Sequence, residues 1–335
     1  MRLSAMGDVA MTVPVLRAFV KQYPDVKLTV VSRPFFKPFF DGIPNVDFFA
    51  FDEKQRHKGF FGLLKLYSDL KKLEIGAFAD LHNVLRSKVV RSLFALSGKK
   101  TASVDKGRNE KRALTRPENK IFQPLTPMVE RHAAVFKTLG FPVGLSNPEF
   151  PGPQMLDSVI ATIVGTKTQK WIGIAPFAQY DSKVYPKDLM QQVIDDLAKN
   201  TQYKIFLFGG KSDVELLDIF ASGKENVLNM AGKIKFQQEL QLISNLDVML
   251  SMDSGNAHIA AMLGVKTVTL WGATHPFTGF APFAQPLENA LASDRHQFPK
   301  LPTSVYGNKK VEGYKDAMRS IAPETVVAKI ESSLQ

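Results

Sequence analysis

Short apolar segments alternate with longer amphipathic segments in the first part of the chain. The short segments are rich in β-branched and aromatic residues, as is typical of strands, and they lie at residues 26–31, 47–51 and 76–81. The longer segments carry apolar residues at helical spacing and lie at residues 9–22, 63–73 and 87–96. Strand, helix and strand in this rhythm predict a parallel α/β sheet.

The same alternation starts again in the second part of the chain. The predicted strands lie at residues 171–176, 203–208, 227–230, 247–251 and 265–271, and the predicted helices lie at 187–199, 213–221, 236–245 and 256–263. Two α/β units in tandem would leave a cleft between two sheets. Because ligands of open α/β sheets bind at the carboxyl ends of the strands, the loops after these strands are expected to carry the functional residues.

A proline-rich segment separates the two alternating parts. Residues 141–153 contain four prolines and two glycines, which favours a linker. Residues 98–127 are polar and show little periodicity, so they predict extended segments and loops. A chain of 335 residues also exceeds the usual size of one core. We therefore predict an N-terminal Rossmann-like domain over 1–152, a C-terminal Rossmann-like domain over 153–320, and a final helix over 321–335 that packs back on the N-terminal domain.

Composition is that of an ordinary soluble protein, with 44% hydrophobic and 22% charged residues. No apolar run is long enough to span a bilayer, and the N-terminus lacks the layout of a secretory signal. The absence of cysteine excludes disulfides, thiolate metal sites and cysteine nucleophiles, and it fits a cytoplasmic location. The net charge of +11 either favours anionic partners such as nucleotides, phosphorylated sugars or lipid surfaces, or serves solubility alone.

The most specific chemistry is predicted where the strand at 247–251 turns into a helix. Ser254 suits the cap of that helix, and Gly255 allows a ligand to approach the backbone closely. A helix N-terminus favours a phosphate, so this turn predicts a nucleotide-phosphate cradle. Asp253 would accept a bond from a hydroxyl or hold a neighbouring donor, and His258 lies about one turn into the helix. The alternative is an ordinary helix cap with a packed His258.

A second candidate, Lys183, lies in the loop over residues 176–186, after the first strand of the second part. Its ammonium suits the charge of a diphosphate, although a solvated loop lysine is the commoner use of such a residue.

A third candidate lies near the N-terminus, where Ser4 and Gly7 precede a predicted amphipathic helix. Asp8 would deprotonate an acceptor hydroxyl there, or it would serve only as a helix N-terminal charge.

Two basic segments in the first part suggest anionic partners. Arg86 and Lys88 follow the strand at 76–81 and would bind an anionic acceptor, or they form a solvated surface. Residues 54–72 combine basic residues with aromatic and aliphatic ones, which favours either an anionic membrane face or a helix that packs its apolar stripe on the core.

Several other function classes are disfavoured. The chain has neither a P-loop nor a Gly-x-Ser-x-Gly motif, and its six histidines lack metal-ligand spacing. Nucleic-acid binding would explain the positive charge, but neither a compact basic helix nor an aromatic strand face is clear, so no nucleic-acid partner is expected.

The chain resembles the ADP-heptose:lipopolysaccharide heptosyltransferase family in four ordered blocks that cover most of its length. Such a block alone is a weak signal, whereas four in the right order are a strong one. The blocks are Arg2-Leu3-Ser4-Ala5-Met6-Gly7-Asp8-Val9, Asp80-Leu81-His82-Asn83-Val84-Leu85-Arg86-Ser87, Lys183-Val184-Tyr185-Pro186, and Asp253-Ser254-Gly255-x-x-His258 with Leu270-Trp271-Gly272-Ala273-Thr274-His275-Pro276 after it.

The resemblance implies a GT-B fold, in which two Rossmann-like domains have parallel sheets facing a central cleft. It implies an inverting, metal-independent enzyme that moves a heptose from ADP-heptose to a lipopolysaccharide core-type acceptor, with no cofactor besides the donor substrate. The acceptor would be a lipid-linked or phosphorylated glycan, met in the cytoplasm or at the inner face of the inner membrane. A GT-B transferase that uses another nucleotide sugar, or a catalytically silent nucleotide-sugar-binding relative, remains open.

The resemblance also assigns roles to single residues. Asp8 becomes the general base, and Lys183 neutralises the departing diphosphate. The residues implied in binding the nucleotide sugar are Asp253, Ser254, Gly255, His258, Met230, Glu215 and Gln179. Those implied in binding the acceptor are Ser4, Gly7 and Arg86.

The chain departs from the family pattern at three places. The family has a full strand before the arginine, so we expect either residues before Met1 or a different strand order. Ala178 and Gln179 stand where small hydroxyl residues are common, and Tyr185 stands for a tryptophan.

Overall fold

The computed structural model describes residues 1–335, which form two compact units. Unit 1 comprises Met1–Lys106 and Thr126–Glu149, and unit 2 comprises Gly107–Leu125 and Phe150–Gln335. The elements up to Glu149 are α1 (Met6–Ala10), α2 (Val13–Gln22), β1 (Leu28–Ser32), β2 (Val46–Ala50), α3 (Gly59–Lys71), β3 (Ala77–Asp80), α4 (Leu85–Leu96), β4 (Lys100–Ser103), α5 (Arg108–Thr115) and α6 (Met128–Thr138), with a 3-10 helix at Pro34–Phe39.

The strands of unit 1 form two parallel pairs with the N-terminal residues between them. β1 pairs with β2, and β3 pairs with β4. The Arg2 N–H donates to the Val31 carbonyl at 3.1 Å, and the Met1 carbonyl accepts from the Leu81 N–H at 3.1 Å. Residues 1–3 therefore connect β1 to β3 and occupy the central position, where the resemblance implied a full strand.

Helices α3 and α4 cover unit 1 side by side. α3 buries Leu63, Leu66 and Leu70, which are spaced so that they form one stripe against the core. Gly62 is required in the first turn of α3, because a Cβ there would lie 2.2 Å from the backbone carbonyl carbon of His57. The predicted helices at 63–73 and 87–96 thus exist, and each begins a few residues earlier than the pattern indicated.

Unit 2 contains one six-stranded parallel sheet in the order β10-β9-β8-β5-β6-β7. Its elements after Phe150 are α7 (Ser158–Val164), β5 (Lys170–Ala175), α8 (Lys187–Ala198), β6 (Tyr203–Leu207), α9 (Val214–Ala221), β7 (Val227–Asn229), α10 (Phe236–Ser244), β8 (Val248–Met252), α11 (Gly255–Met262), β9 (Lys266–Trp271), β10 (Ala290–Ala292) and α12 (Pro323–Leu334). The predicted α/β architecture with parallel sheets is confirmed.

The strand order of unit 2 creates a topological switch point between β5 and β8. From β5 the chain adds β6 and then β7 on one side, and it returns to add β8, β9 and β10 on the other. The loops that follow β5 and β8 leave the sheet in opposite directions, which opens a crevice at the carboxyl edge. Lys183 and Asp253 lie in these two loops.

The segment Gly107–Leu125 belongs to unit 2, whereas the sequence placed it within a domain over 1–152. The Leu125 N–H donates to the Phe277 carbonyl at 2.9 Å, and the Arg295 guanidinium lies 3.4 Å from the centre of the Phe122 ring. The Lys120 ammonium donates to the Pro302 carbonyl at 2.7 Å. These partners are more than 150 residues away along the chain, so no local pattern indicated them.

Helix α12 also belongs to unit 2, whereas the sequence placed residues 321–335 against the N-terminal domain. Its apolar stripe of Val326, Ile330 and Leu334 lies in the core of unit 2, where α12 packs on α8. No helix in the structure is long and apolar enough to cross a bilayer.

Candidate active site

Two predicted residues of unit 2 form an ion pair at the switch point. The Lys183 ammonium lies 2.9 Å from a carboxylate oxygen of Asp253, and their side chains are only 13% and 8% exposed. Lys183 ends a 3-10 turn at Asp181–Lys183 after β5, and Asp253 follows β8 directly. The pairing of β5 with β8 therefore brings together two residues that are distant along the chain.

Helix α11 begins immediately after Asp253. Ser254 is at its N-cap with an extended backbone, but its hydroxyl lies 3.1 Å from the Ser251 hydroxyl and makes no cap bond. The predicted side-chain cap is therefore wrong, because Ser251 at the end of β8 engages the Ser254 hydroxyl. Gly255 is the first helical residue, and His258 is buried one turn later. The N-terminal N–H groups of α11 thus lie beside the Lys183–Asp253 pair.

A loop that sequence reasoning missed holds the stem of Lys183. Gly307 has a positive φ of 83°, and a Cβ there would lie 2.5 Å from Cδ of Lys183. The Ser182 hydroxyl donates to the Gly307 carbonyl at 2.6 Å, and the Ser182 carbonyl accepts from the Ala273 N–H at 2.9 Å. Gly307 therefore packs directly on the Lys183 side chain and fixes its direction.

We expect Gly307→Ala to move Lys183 and to lower any turnover that depends on its ammonium by up to about 10²-fold, because small displacements of a positioned group are costly. Left-handed backbone for alanine costs about 1–2 kcal/mol of stability, and the overlap with Lys183 adds to it. Gly313→Ala is the matched control, since Gly313 has a φ of 76° and open space around it. Turnover and thermal unfolding of both variants check this. Equal turnover in the two variants would show that Gly307 does not position Lys183.

Tyr185 lies at the end of the loop that carries Lys183, between β5 and α8. It stands where the family that this chain resembles has tryptophan. Its ring is buried, and its hydroxyl donates to the Ile321 carbonyl at 2.5 Å. Burial raises the pKa of this phenol above its ordinary value, so the group stays a neutral donor. Tyrosine at this position provides a large buried ring and a hydrogen bond to the chain just before α12.

Unit 1 carries a second pair, formed by Arg2 and Asp8. One carboxylate oxygen of Asp8 lies 2.5 Å from the Arg2 guanidinium and 3.3 Å from the Ala5 N–H, which donates to it. Arg2 is buried and also donates to the carbonyls of Ser4 at 2.9 Å and Leu81 at 2.7 Å. Asp8 thus satisfies the start of α1, as the alternative interpretation predicted, and it is also oriented by a fixed cation with 25% of its side chain exposed.

His82 and His132 lie close enough to Asp8 to interact with it electrostatically. Burial, with Arg2 and Lys106 adding to it, lowers the pKa of His82 to about 4, and burial lowers the pKa of His132 to about 3. The Leu3 N–H donates to Nδ1 of His82 at 3.4 Å. Both imidazoles are therefore neutral near pH 7, and Arg2 supplies the positive charge next to the carboxylate.

Asp80, the first residue of the second block of the resemblance, has a structural role. Asp80 is fully buried and accepts from the N–H groups of His82 and Asn83 at 3.0 and 2.7 Å, which holds the turn after β3. Arg86 follows in α4, where its guanidinium pairs with Glu53 at 2.9 Å and is 54% exposed.

The remaining predicted residues of unit 2 lie at the carboxyl edge of its sheet, and those of unit 1 lie in and just before α1. In unit 2, exposed Gln179 follows β5, exposed Glu215 is in the first turn of α9 after β6, and buried Met230 follows β7 directly. In unit 1, Ser4 contributes its carbonyl to Arg2, and Gly7 lies within α1. No group of three or more His, Asp or Glu residues is placed to hold a metal ion.

Comparison with known proteins gives a consistent picture. The family profile described as glycosyltransferase family 9 (heptosyltransferase) matches residues 63–309. The lipopolysaccharide core heptosyltransferase OpsX of Haemophilus influenzae is 24% identical over 338 aligned positions, which cover 99% of this chain and 95% of the relative.

Two solved structures resemble the whole chain. The glycosyl transferase family 9 protein from Veillonella parvula has a TM-score of 0.75 at 20% identity and covers 99% of this chain and 95% of its own. The Escherichia coli ADP-heptose LPS heptosyltransferase II has a TM-score of 0.68 at 20% identity, covering 100% of this chain and 98% of its own. This likeness confirms the predicted GT-B fold.

Proposed function

Because this chain belongs to glycosyltransferase family 9, the heptosyltransferase family, we propose that it transfers a heptose from ADP-heptose to a lipopolysaccharide core-type acceptor. The proposed reaction inverts the anomeric centre and needs no metal ion. The observation that carries the proposal is the Lys183–Asp253 pair beside the N-terminus of α11, at the switch point of unit 2. An ammonium and helix N–H groups at one edge form a site for a nucleotide diphosphate.

In the proposed reaction, an acceptor hydroxyl oxygen attacks the anomeric carbon of the donor sugar. The bond from that carbon to the diphosphate oxygen breaks, and ADP leaves with the electron pair. Lys183 stabilises the negative charge that develops on the diphosphate, which is the task a metal ion performs in other transferases. Asp253 holds the ammonium in place until the diphosphate arrives.

The proton of the acceptor hydroxyl passes to the Asp8 carboxylate. Arg2 keeps that carboxylate in a fixed direction through the ion pair at 2.5 Å. Ser4, Gly7 and Arg86 are proposed to contact the acceptor.

The nucleotide sugar is proposed to lie along the carboxyl edge of the unit 2 sheet. The residues proposed to bind it are Asp253, Ser254, Gly255, His258, Met230, Glu215 and Gln179. ADP-heptose and a lipopolysaccharide acceptor are proposed because the similar proteins are a lipopolysaccharide core heptosyltransferase and an ADP-heptose LPS heptosyltransferase. The proposed setting is the cytoplasm. A family member that uses another nucleotide sugar, or one that binds without turnover, is the competing proposal.

A thermal-shift screen of ADP, UDP, GDP and CDP tests the donor. A ligand present at about 100 times its dissociation constant adds about 2.7 kcal/mol to stability, and a weaker ligand at the same concentration adds less. With all four nucleotides at one concentration, ADP is therefore expected to raise the unfolding temperature most. ADP release from ADP-heptose in the presence of acceptor, unchanged by EDTA, is expected to follow. A larger shift with another nucleotide would reassign the donor, and binding of ADP without any turnover would favour the silent relative.

A further inference from the structure

Thr274 carries the only fully buried hydroxyl of the chain that has no hydrogen-bond partner. The residue is 1% exposed, and its Oγ1 neither donates nor accepts a bond. The buried threonines on either side of it are engaged: the Thr269 hydroxyl accepts from Nε1 of Trp271 at 2.8 Å, and the Thr278 hydroxyl donates to the His275 carbonyl at 2.7 Å. A buried polar group without a partner is costly, so its presence calls for a reason.

The loop that carries Thr274 follows β9 and lies against the loop that carries Lys183. The Ala273 N–H donates to the Ser182 carbonyl at 2.9 Å, which joins the two loops one residue away from each of those side chains. β9 also pairs with β8, which ends just before Asp253. Thr274 therefore lies at the carboxyl edge of the unit 2 sheet, next to the loops that form the Lys183–Asp253 pair.

The serine hydroxyls of the adjoining loops are already occupied. The Ser182 hydroxyl donates to the Gly307 carbonyl at 2.6 Å, and the Ser254 hydroxyl lies within a hydrogen bond of 3.1 Å to the Ser251 hydroxyl. Neither bond would have to break for Thr274 to donate elsewhere. The Thr274 hydroxyl is thus available to donate to a ligand at this edge without giving up a bond inside the protein.

Residues 303–307 cover both Thr274 and the Lys183 side chain. Two N–H groups of this segment donate to the Ala273 carbonyl at 2.9 and 3.2 Å, and Gly307 packs on the stem of Lys183. A diphosphate that reaches the Lys183 ammonium has to displace part of this segment. The same displacement uncovers the Thr274 hydroxyl.

We propose that the Thr274 hydroxyl donates a hydrogen bond to a diphosphate oxygen of the nucleotide-sugar donor. An anionic oxygen is a strong acceptor, so this bond satisfies a group that has no partner within the protein. Thr274 then holds the diphosphate together with Lys183. The inference rests on the proposed function, because it takes the ligand of Lys183 to be a diphosphate. A buried water that bonds only to the protein is the competing partner of the hydroxyl.

Thr274→Val tests the contact, because valine keeps the shape of threonine and removes the hydroxyl. The dissociation constants of ADP and of pyrophosphate, measured by titration calorimetry, are expected to rise about tenfold, as for one lost hydrogen bond to a charged group. The unfolding temperature without ligand is expected to stay the same or to rise, because an unpartnered hydroxyl is removed. Thr274→Ser retains a hydroxyl and is expected to bind both probes as the wild type does.

The matched control is Thr269→Val, in the strand that leads to Thr274. Thr269 is 2% exposed, and its removal leaves Nε1 of Trp271 without an acceptor. The unfolding temperature of this variant is therefore expected to fall, whereas its affinity for ADP and pyrophosphate is expected to equal that of the wild type. Opposite patterns in the two valine variants distinguish a ligand contact from a structural hydroxyl.

Equal affinity of Thr274→Val and the wild type for both probes would overturn the inference and leave the proposed donor site intact. A fall in the unfolding temperature of Thr274→Val as large as that of Thr269→Val would likewise overturn it, because the hydroxyl would then have a structural partner such as a buried water. Failure of the wild type to bind either probe is a different result, since it would remove the proposed donor site together with this contact.

Discussion

Asp8→Asn is expected to lower the turnover of sugar transfer by about 10²- to 10⁴-fold and to leave ADP binding unchanged. Asparagine retains an oxygen that accepts the Ala5 N–H, so the start of α1 is preserved. It has no basic carboxylate, so it does not take the proton of the acceptor hydroxyl. The variant therefore separates the role of Asp8 in the helix from its proposed role in the chemistry. The measurement is ADP release under saturating donor and acceptor, with the thermal shift by ADP measured in parallel.

The control for this prediction is Asp157→Asn. Asp157 caps α7 in unit 2 by accepting the Ile160 N–H at 3.1 Å, so the substitution changes a capping carboxylate away from the proposed chemistry. Its turnover is expected to be that of the wild type. Asp8→Asn also leaves the buried Arg2 without its anion, and some loss of stability is expected from that. Unchanged turnover in Asp8→Asn would remove Asp8 as the base.

The fold follows from the sequence where the physical signal is local. Alternation of strand-like and helical segments predicts parallel α/β units, because period and length are set by each segment alone. The turn at Asp253 and the loop at Lys183 were likewise recognisable from their neighbours. Their ion pair was not, because it depends on β8 lying beside β5, and strand order is a property of the assembled sheet.

Positioning residues were harder to predict than the groups they position. Arg2 was part of a recognised block, yet only the folded chain shows that it holds Asp8. Gly307 contacts Lys183 although 123 residues lie between them in the sequence, and a glycine in a loop carries no sign of what packs on it. Phe122 and Arg295 likewise meet only after folding, so the sequence assigns the segment Gly107–Leu125 to the N-terminal domain, whereas it packs in unit 2.

Lys183→Met is expected to lower turnover by about 10²- to 10³-fold, because in the proposed reaction the departing diphosphate loses its fixed positive charge. The methionine stem preserves the packing against Gly307. The same substitution leaves Asp253 as an almost buried carboxylate without its cation, so the protein without ligand is expected to lose about 1–3 kcal/mol of stability. Turnover and thermal unfolding measure the two effects separately.

The double variant Lys183→Met, Asp253→Asn distinguishes a structural ion pair from a catalytic one. Removing both charges together takes away the unpaired carboxylate, so stability is expected to return toward the wild-type value. Turnover is expected to stay low, because neutral side chains do not stabilise the leaving diphosphate. Lys211→Met is the control, since Lys211 is an exposed lysine after β6 at the same edge of the sheet. Recovery of turnover in the double variant would mean that the pair supports the fold of this edge and that the diphosphate is stabilised elsewhere, by the N-terminus of α11.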